Sequence, residues 1–528
     1  MQLDALWSGW FGPPGRPFPA LLPPIIKMYP VHQLLPSSPA PHPEQWAPAL
    51  RPDTARYLDA CPGGRQRTRQ LYLHVPFCPA FCHFCMLYKT TDPKEQSSDV
   101  IERFVRALCR EIELQGTTAT ARAREIDCIY VGGGTPSMLT LDQVERILTT
   151  AARHLPLRRG LEVTFEGMSH QLRHEPYLRG LQALGVTRIS IGVQTFHQPL
   201  RVQLGRLDTA EDVAACAEAV TRVGFQDLNM DFLMGLPGQD GPMLLSDLAR
   251  ATELGATSLD VLHYVATPGT RYYEMIRAGV RAAQAAGDTL LRMRVDSTAQ
   301  LLAAGFHHVA GDVFDRNPAR LTAFNQTHYG GQSGLDEILA LGPSSYGLVD
   351  GTLYHQVASL PEYLRLISEE KLPIRAWKPL AAPQARRRAL VFGLLLFRVP
   401  RHTVDNLAGR ALVDSWRRRG LIEPGGPGHT LTGLGRLWFN MMQMEALPMT
   451  EGWSALDMLL EPAEQKRVLF QPGVQKGNLN VVRELETMIE GPIPALRLLR
   501  RLAFRGATSL RRPRGLTTHA GPRNVEPA

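Results

Sequence analysis

The sequence predicts an α/β fold: a partial parallel (β/α) barrel of about six units, followed by a small C-terminal α+β domain with a winged-helix-like pattern. Three observations predict it. Short apolar runs recur from residue 70 onward. Between them lie stretches with apolar residues at helical spacing. Near the C-terminus, "GLIEPGGPGHTLTGLGRLWF" (420–439) reads as a hairpin running into a helix.

The predicted strands are "LYLHV" (71–75), "IDCIYV" (126–131), "LEVTFE" (161–166), "RISIGVQ" (188–194), "QDLNMDFL" (226–233) and "SLDVLHYV" (258–265). Strands alternating with helices imply parallel pairing. An open doubly wound sheet is the alternative, and in both cases ligands sit at the C-terminal ends of the strands. In "TLDQVERILTTAARHL", Leu141, Val144, Ile147, Leu148 and Ala151 share a helical face, and Thr140 with Gln143 fits a capping box. The chain divides into a proline-rich N-terminal arm (1–65), a core barrel (66–375), a small C-terminal domain (376–450) and a C-terminal basic tail (451–528). Proline removes backbone donors and fixes φ, so the arm should pack loosely, with Trp7 and Trp10 as candidate docking points.

Composition narrows the class. The chain has 528 residues, 44% hydrophobic and 20% charged, enough for a large core. Seven cysteines are too few for a disulfide scaffold of this length, which points to a reduced compartment. A net charge of +8 is modest at this size and argues for no particular partner. No apolar run is long enough to span a bilayer, and the proline-broken start is unlike a secretory signal. A cytoplasmic protein is expected, without a membrane span and without nucleic acid as partner. "SWRRRG" (415–420) supplies charge but no aromatic platform, and reads as a solvated helix end.

Cys78, Cys82 and Cys85 fall within eight residues, spaced Cys-x3-Cys-x2-Cys, after the first strand. Three readings stand. A buried cysteine stripe is strained beside Pro76 and Pro79. Structural zinc needs a fourth ligand, for which His74 or His83 would serve. An iron–sulfur cube held by three thiolates leaves its fourth iron open to a ligand. "YVGGGTPS" (130–137) then places bare glycine backbone at the end of the second strand, where a ligand can come close.

The cysteine spacing is similar to the signature of the radical S-adenosylmethionine (SAM) superfamily. "YLHVPFC", "GGGTP", "SIGVQTF" and "MDFLMGLPGQ", in that order, resemble its oxygen-independent coproporphyrinogen III oxidase-like branch over about residues 70 to 445. The resemblance implies a [4Fe-4S] cluster on Cys78, Cys82 and Cys85. It implies SAM chelated to the free iron and cleaved to a 5′-deoxyadenosyl radical. The implied SAM contacts are Gly133, Gly134 and Thr135 in the glycine stretch, with Glu166, Gln194, Arg206 and Asp231. Some members bind a second SAM, at positions matching Tyr72, Phe84 and Gly134. An electron donor such as flavodoxin or ferredoxin is the implied partner.

The pattern departs from the branch in two places. The oxidases carry a further cysteine two residues after the third, where this chain has Leu87. The heme chaperones of the branch carry a His-Asn-x-x-Tyr-Trp-like stretch, for which "FNQTHYGG" (324–331) is the nearest match. Phe324 stands in place of its histidine, while His328 and the pair His307–His308 remain as heme candidates, with loop histidines the plainer reading. Elimination leaves methyl or methylene transfer to an sp² carbon of an aromatic, heterocyclic or porphyrin-like small-molecule acceptor as the expected reaction. Porphyrinogen oxidation and heme handling are the alternatives.

Overall fold

The computed structural model describes residues 39–446 apart from 62, 63, 65, 86, 265–269, 282–284, 286, 319–321, 323, 324 and 326–332. Phe324, His328, Trp7, Trp10 and the basic tail lie outside the described residues. The six predicted strands are present: β1 (Arg69–Val75), β2 (Ile126–Gly133), β3 (Leu157–Gly167), β4 (Arg188–Gln194), β5 (Asp227–Met234) and β6 (Ser258–His263). They lie side by side in chain order, each pair parallel. β2 is buried at every position, as a strand covered on both faces should be.

The helix Leu141–His154 shows how the alternation works locally. Thr140 and Gln143 form the expected capping box: the Thr140 N–H donates to Gln143 Oε1 (3.0 Å), and the Gln143 N–H donates to Thr140 Oγ1 (3.3 Å). Val144, Ile147, Leu148 and Ala151 are buried and Leu141 is partly buried against the core.

The sheet continues beyond the six units. β7 (His307–Ala310) and β8 (Val313–Asp315) extend it antiparallel past β6. On the other side β9 (Glu337–Leu341) joins β1 in parallel, and β10 (Tyr346–Val349), β11 (Thr352–Gln356) and β12 (Ile374–Pro379) follow antiparallel. Among the described residues the twelve strands run from β12 to β7 without closing, so the barrel is partial. β1 meets β9 across a long stretch of sequence, and a buried ion pair secures the join: Arg69 Nε and Nη2 donate to Glu337 Oε2 at 2.8 and 2.6 Å.

After the helix Ala382–Leu395 come β13 (Arg398–Pro400), the helix Leu407–Arg418, β14 (Ile422–Gly425), β15 (Gly428–Leu431) and the helix Gly433–Ala446. β14 and β15 form the anticipated hairpin, with β13 paired to β15. Phe392, Phe397, Trp416 and Phe439 share one buried apolar cluster with the main sheet.

Two expectations change. The later part of the proline-rich stretch is well packed: Trp46 is buried edge-on to Tyr354 and Trp377, at 5.5 and 5.7 Å, and the helix Pro52–Ala60 hydrogen-bonds through Thr54 Oγ1 to the Leu380 carbonyl (2.6 Å). His308 is not a loop residue open to heme. It is buried, stacked 4.5 Å from Phe314 and edge-on to Phe397, and burial lowers its pKa to about 4.

Candidate active site at the strand ends

The loop after β1 carries the three cysteines and is pinned at several points. The Cys78 N–H donates to the Thr90 carbonyl (3.1 Å), and Gln96 Nε2 donates to the carbonyls of Cys78 (2.8 Å) and Thr90 (2.7 Å). The His83 N–H donates to the Leu204 carbonyl (2.8 Å), and its Nδ1 lies 2.9 Å from the Gln203 carbonyl. Lys89 Nζ donates to the Cys85 carbonyl at 3.2 Å. The loop therefore has a fixed path, held by β1 on one side and the helix Gln198–Leu204 on the other.

Cys78 and Cys82 are buried, Cys85 is half-buried, and all three are free thiols. Thr135 Oγ1 donates to Cys78 Sγ (3.3 Å), and Arg206 Nη1 lies 3.9 Å from Cys82 Sγ. Burial raises the Cys82 pKa; the Arg206 charge opposes this, and the neighbouring Cys85 and Cys78 add to it. Among the described residues no three His, Cys, Asp or Glu side chains form a preformed metal cage. The thiols sense one another from a shared loop. Three free thiols of that kind, with a threonine hydroxyl and a guanidinium beside two of the sulfurs, are a donor set that suits an iron–sulfur cluster. The histidines suggested as zinc ligands are turned to other partners: His74 Nε2 lies 3.0 Å from the Tyr88 carbonyl, and His83 Nδ1 is held as above.

The glycine stretch has an explanation beyond ligand approach. A Cβ on Gly132 would stand 2.7 Å from Glu166 Oε2, and one on Gly134 would stand 2.4 Å from the Phe77 carbonyl oxygen. Gly133 has φ of +113°, where a side chain is strained. The stretch lets β2 end directly against the cysteine loop, and the Gly134 N–H donates to the Val75 carbonyl (2.8 Å). Thr135 follows at once, which is how its hydroxyl reaches Cys78.

The remaining residues gather around the strand ends. Glu166, near the end of β3, accepts from the Tyr130 hydroxyl; burial raises its pKa, against that bond and one from the Gly133 N–H. Gln194 closes β4 at φ +69°, and its buried Oε1 has no hydrogen-bond partner. Its Nε2 lies 2.8 Å from where a Gly192 Cβ would stand, and Arg206 Nη1 lies 4.0 Å from the same point. Arg206 donates from Nε and Nη2 to the two Asp208 oxygens, at 2.9 and 2.8 Å. Asp208 in turn pairs with buried Arg201 at 2.7 Å. Asp231 on β5 sits opposite Gly192 of β4 and accepts from Asn229 Nδ2 at 2.6 Å. Its pKa is held well above the usual carboxylate range by burial first, then by Asp260 and Glu166.

Cys82, Arg206 and Gln194 thus come together beside Gly192, with Asp231 at the register position opposite Gly192 on β5 and Thr135 beside Cys78. Tyr72 stands lower, with its hydroxyl 3.0 Å from His74 Nδ1 and its ring 6.2 Å from that of Tyr130. Phe84 packs against the apolar cluster of Leu204, Leu233, Leu236, Tyr264 and Tyr272. Sequence reasoning missed Asp208, Tyr130, Asn229, Arg188 and Asp260. Asp208 had a visible signal in "RLD"; the others become neighbours only through strand pairing.

A Radical SAM superfamily profile matches residues 72–249, the segment from β1 through most of the helix Gly241–Glu253. Anaerobilin synthase of Escherichia coli O157:H7 is 28% identical over 70% of this chain and 82% of its own length. Heme chaperone HemW of Bacillus subtilis is 26% identical over 62% of this chain and 83% of its own length. The solved structure of coproporphyrinogen III oxidase (HemN) from Escherichia coli aligns with a TM-score of 0.61 and 21% identity, covering 78% of this chain and 99% of that one. Residues 72–249 thus match the radical SAM superfamily, and over most of its length the chain is similar to proteins of the oxygen-independent coproporphyrinogen III oxidase-like branch. The cofactors of that family are a [4Fe-4S] cluster and SAM. Among the described residues no helix is long and apolar enough to cross a membrane.

Proposed function

We propose that this chain is a radical SAM enzyme whose substrate is a tetrapyrrole, with oxidation of a porphyrinogen-type or heme-type ring system as its reaction. The reading is supported by the motif set of the branch and by relatives named for a bilin and for heme. Methyl transfer, the reaction expected by elimination, gains no support from those names. The oxidative alternative therefore takes its place. The absence of a cysteine at Leu87 sets this chain apart from the oxidases in one detail of the loop, where Leu87 is an exposed side chain.

The residues carry defined roles in this reading. Cys78, Cys82 and Cys85 hold the cluster, and Thr135 and Arg206 stabilise thiolate charge at two of the sulfurs. When bound, cluster and SAM together supply a one-electron reductive cleavage that yields a hydrogen-abstracting carbon radical. Arg206, fixed by Asp208, presents its remaining guanidinium edge to the methionyl carboxylate of SAM. Glu166 and Asp231 accept hydrogen bonds from its ammonium and hydroxyl groups. Gln194, with an unsatisfied carbonyl oxygen in a buried position, awaits a donor. Tyr72 and Phe84 remain the candidate contacts for a second SAM. These residues lie at or near the strand ends, where a tetrapyrrole can approach from the open side of the barrel.

The single observation that carries the reading is the meeting of Cys82 Sγ, Arg206 and Gln194 beside Gly192, with Asp231 opposite in register. Anaerobic reconstitution with iron and sulfide, followed by dithionite, SAM and either coproporphyrinogen III or heme, tests it. 5′-Deoxyadenosine formed in proportion to altered tetrapyrrole supports the proposal. Stoichiometric heme binding without SAM cleavage moves the chain to heme handling, and S-adenosylhomocysteine among the products restores methyl transfer.

A further inference from the structure

The helix Gln198–Leu204 carries Arg201, which is fully buried and makes contacts in two directions. Toward β4, its Nη1 donates to the carbonyls of Val193 and Thr195, both at 2.8 Å. Those two residues flank Gln194, which has φ of +69°, and the pairing of β4 with β5 shifts register between Gly192 and Gln194. A non-glycine residue keeps a left-handed backbone only where its surroundings fix it, and the two carbonyl contacts supply that fixing. Toward the loop after the helix, Arg201 Nε and Nη2 donate to the Asp208 carbonyl at 3.1 and 2.9 Å, and Nη2 pairs with Asp208 Oδ1 at 2.7 Å. Asp208 is also buried, and its Oδ2 accepts from Ser169 Oγ at 2.5 Å and from Arg206 Nη2 at 2.8 Å. With its Nε and Nη2 committed to Asp208, Arg206 has Nη1 left near Cys82 Sγ and Gly192. Gln194 Nε2 reaches the same Gly192 position, and Gln194 Oε1 is buried without a hydrogen-bond partner. One guanidinium thus holds both the backbone under Gln194 and the carboxylate behind Arg206.

We propose that Arg201 is a positioning residue that sets Gln194 and Arg206 as one unit for binding the nucleotide. The inference deepens the SAM reading of the site and rests on it. Arg201 itself is sealed from any ligand, since its side chain has no exposed surface. Its contribution is geometric: the donors of one rigid planar fork reach three carbonyls and a carboxylate together. A lysine in its place keeps the charge but offers a single nitrogen on a flexible stem, which cannot serve both sides. Gln194 then relaxes from the left-handed region, and Asp208 loses the contact that aims it at Arg206. The two side chains that meet over Gly192 shift together, so their contributions to binding are linked rather than independent.

A double-mutant cycle tests this. SAM binding to the anaerobically reconstituted full chain is measured by calorimetry for wild type, Arg201→Lys, Gln194→Ala and the double variant, with iron content and cluster absorbance as controls. Each single change is expected to weaken SAM binding about tenfold, the scale of one well-placed hydrogen bond. The double variant is expected to lose no more than about thirtyfold, short of the roughly hundredfold that two independent residues give. A larger loss in the double variant overturns the proposal, and so does wild-type affinity in either single variant. A purely scaffolding Arg201 lowers the denaturant midpoint but leaves SAM affinity unchanged or the losses additive. Should R201K lose its iron, Asp208→Asn takes its place in the cycle and is read the same way; loss of iron from both makes the pair a scaffold for the cluster and overturns the proposal. Wild-type protein that holds a cluster but does not bind SAM instead overturns the SAM reading beneath it.

Discussion

At the scale of single residues, the site depends on contacts that leave almost no room. Gly134 has no space for a methyl group, since the obstacle is the Phe77 backbone rather than a flexible side chain. Gly134→Ala should push the cysteine loop away from β2 and separate Thr135 from Cys78. The expected outcome is a folded chain, by circular dichroism, that takes up less than half the wild-type iron on reconstitution. Cys82→Ala should remove the cluster altogether, because its sulfur is the one that faces both other thiols and Arg206. Iron and sulfide analysis checks this directly, and a wild-type cluster absorbance in the variant would contradict it. The residues named by motif came from family spacing: Glu166 and Gln194 fall at or beside strand ends, whereas Asp231 lies inside β5 rather than at its end and Arg206 lies in the loop after the helix Gln198–Leu204. Asp260 and Arg188 were not legible, because a parallel sheet brings residues from distant β/α units into register and no local pattern announces the pairing.

At the scale of elements, the helix Ser98–Thr117 is tied to the sheet edge by one buried carboxylate. Glu111 accepts from Tyr363 Oη (2.7 Å), Gln356 Nε2 (2.5 Å) and the Gly342 N–H (2.9 Å). A Cβ on Gly342 would lie 2.5 Å from the His74 carbonyl oxygen, so the junction sits directly behind the first strand of the site. Burial raises the Glu111 pKa from 4.5 to about 7, and the three donors oppose it. A folded-state value above the unfolded one means that the native chain binds the extra proton. The stability linked to Glu111 is therefore full below pH 4.5 and is lost as pH rises through about 7. The shift corresponds to about 3 kcal/mol across that window. Glu111→Gln should flatten this part of the stability profile, measured as denaturant midpoint against pH, and an unchanged slope would contradict the assignment. The strand assignments show where sequence reading succeeds. "RISIGVQ" matches β4 at both ends because Ile189, Ile191 and Val193 alternate along it and it is buried almost everywhere. β3 begins at Leu157, earlier than predicted, because its first turn of strand is polar and exposed.

At the scale of the whole molecule, twelve strands and the C-terminal helices share one continuous core, and the site lies where the parallel strands end. The apolar rhythm made the six β/α units legible. The pairing of β1 with β9 was not, since it joins residues far apart in sequence. Arg69 and Glu337 hold that pairing, both fully buried. Glu337→Gln leaves the Arg69 charge without its partner, and a loss of about 3–5 kcal/mol in unfolding free energy is expected. Chemical denaturation measures it, and a loss under about 1 kcal/mol would mean that the pair does not secure the sheet. The proposed chemistry depends on the open corner of a three-thiolate cluster at the strand ends. Electron paramagnetic resonance of the reconstituted, reduced protein with and without SAM labelled with ¹⁵N at its amino group tests it most directly. A shifted cluster signal with hyperfine coupling to the label is predicted; an identical spectrum with and without the nucleotide would contradict it.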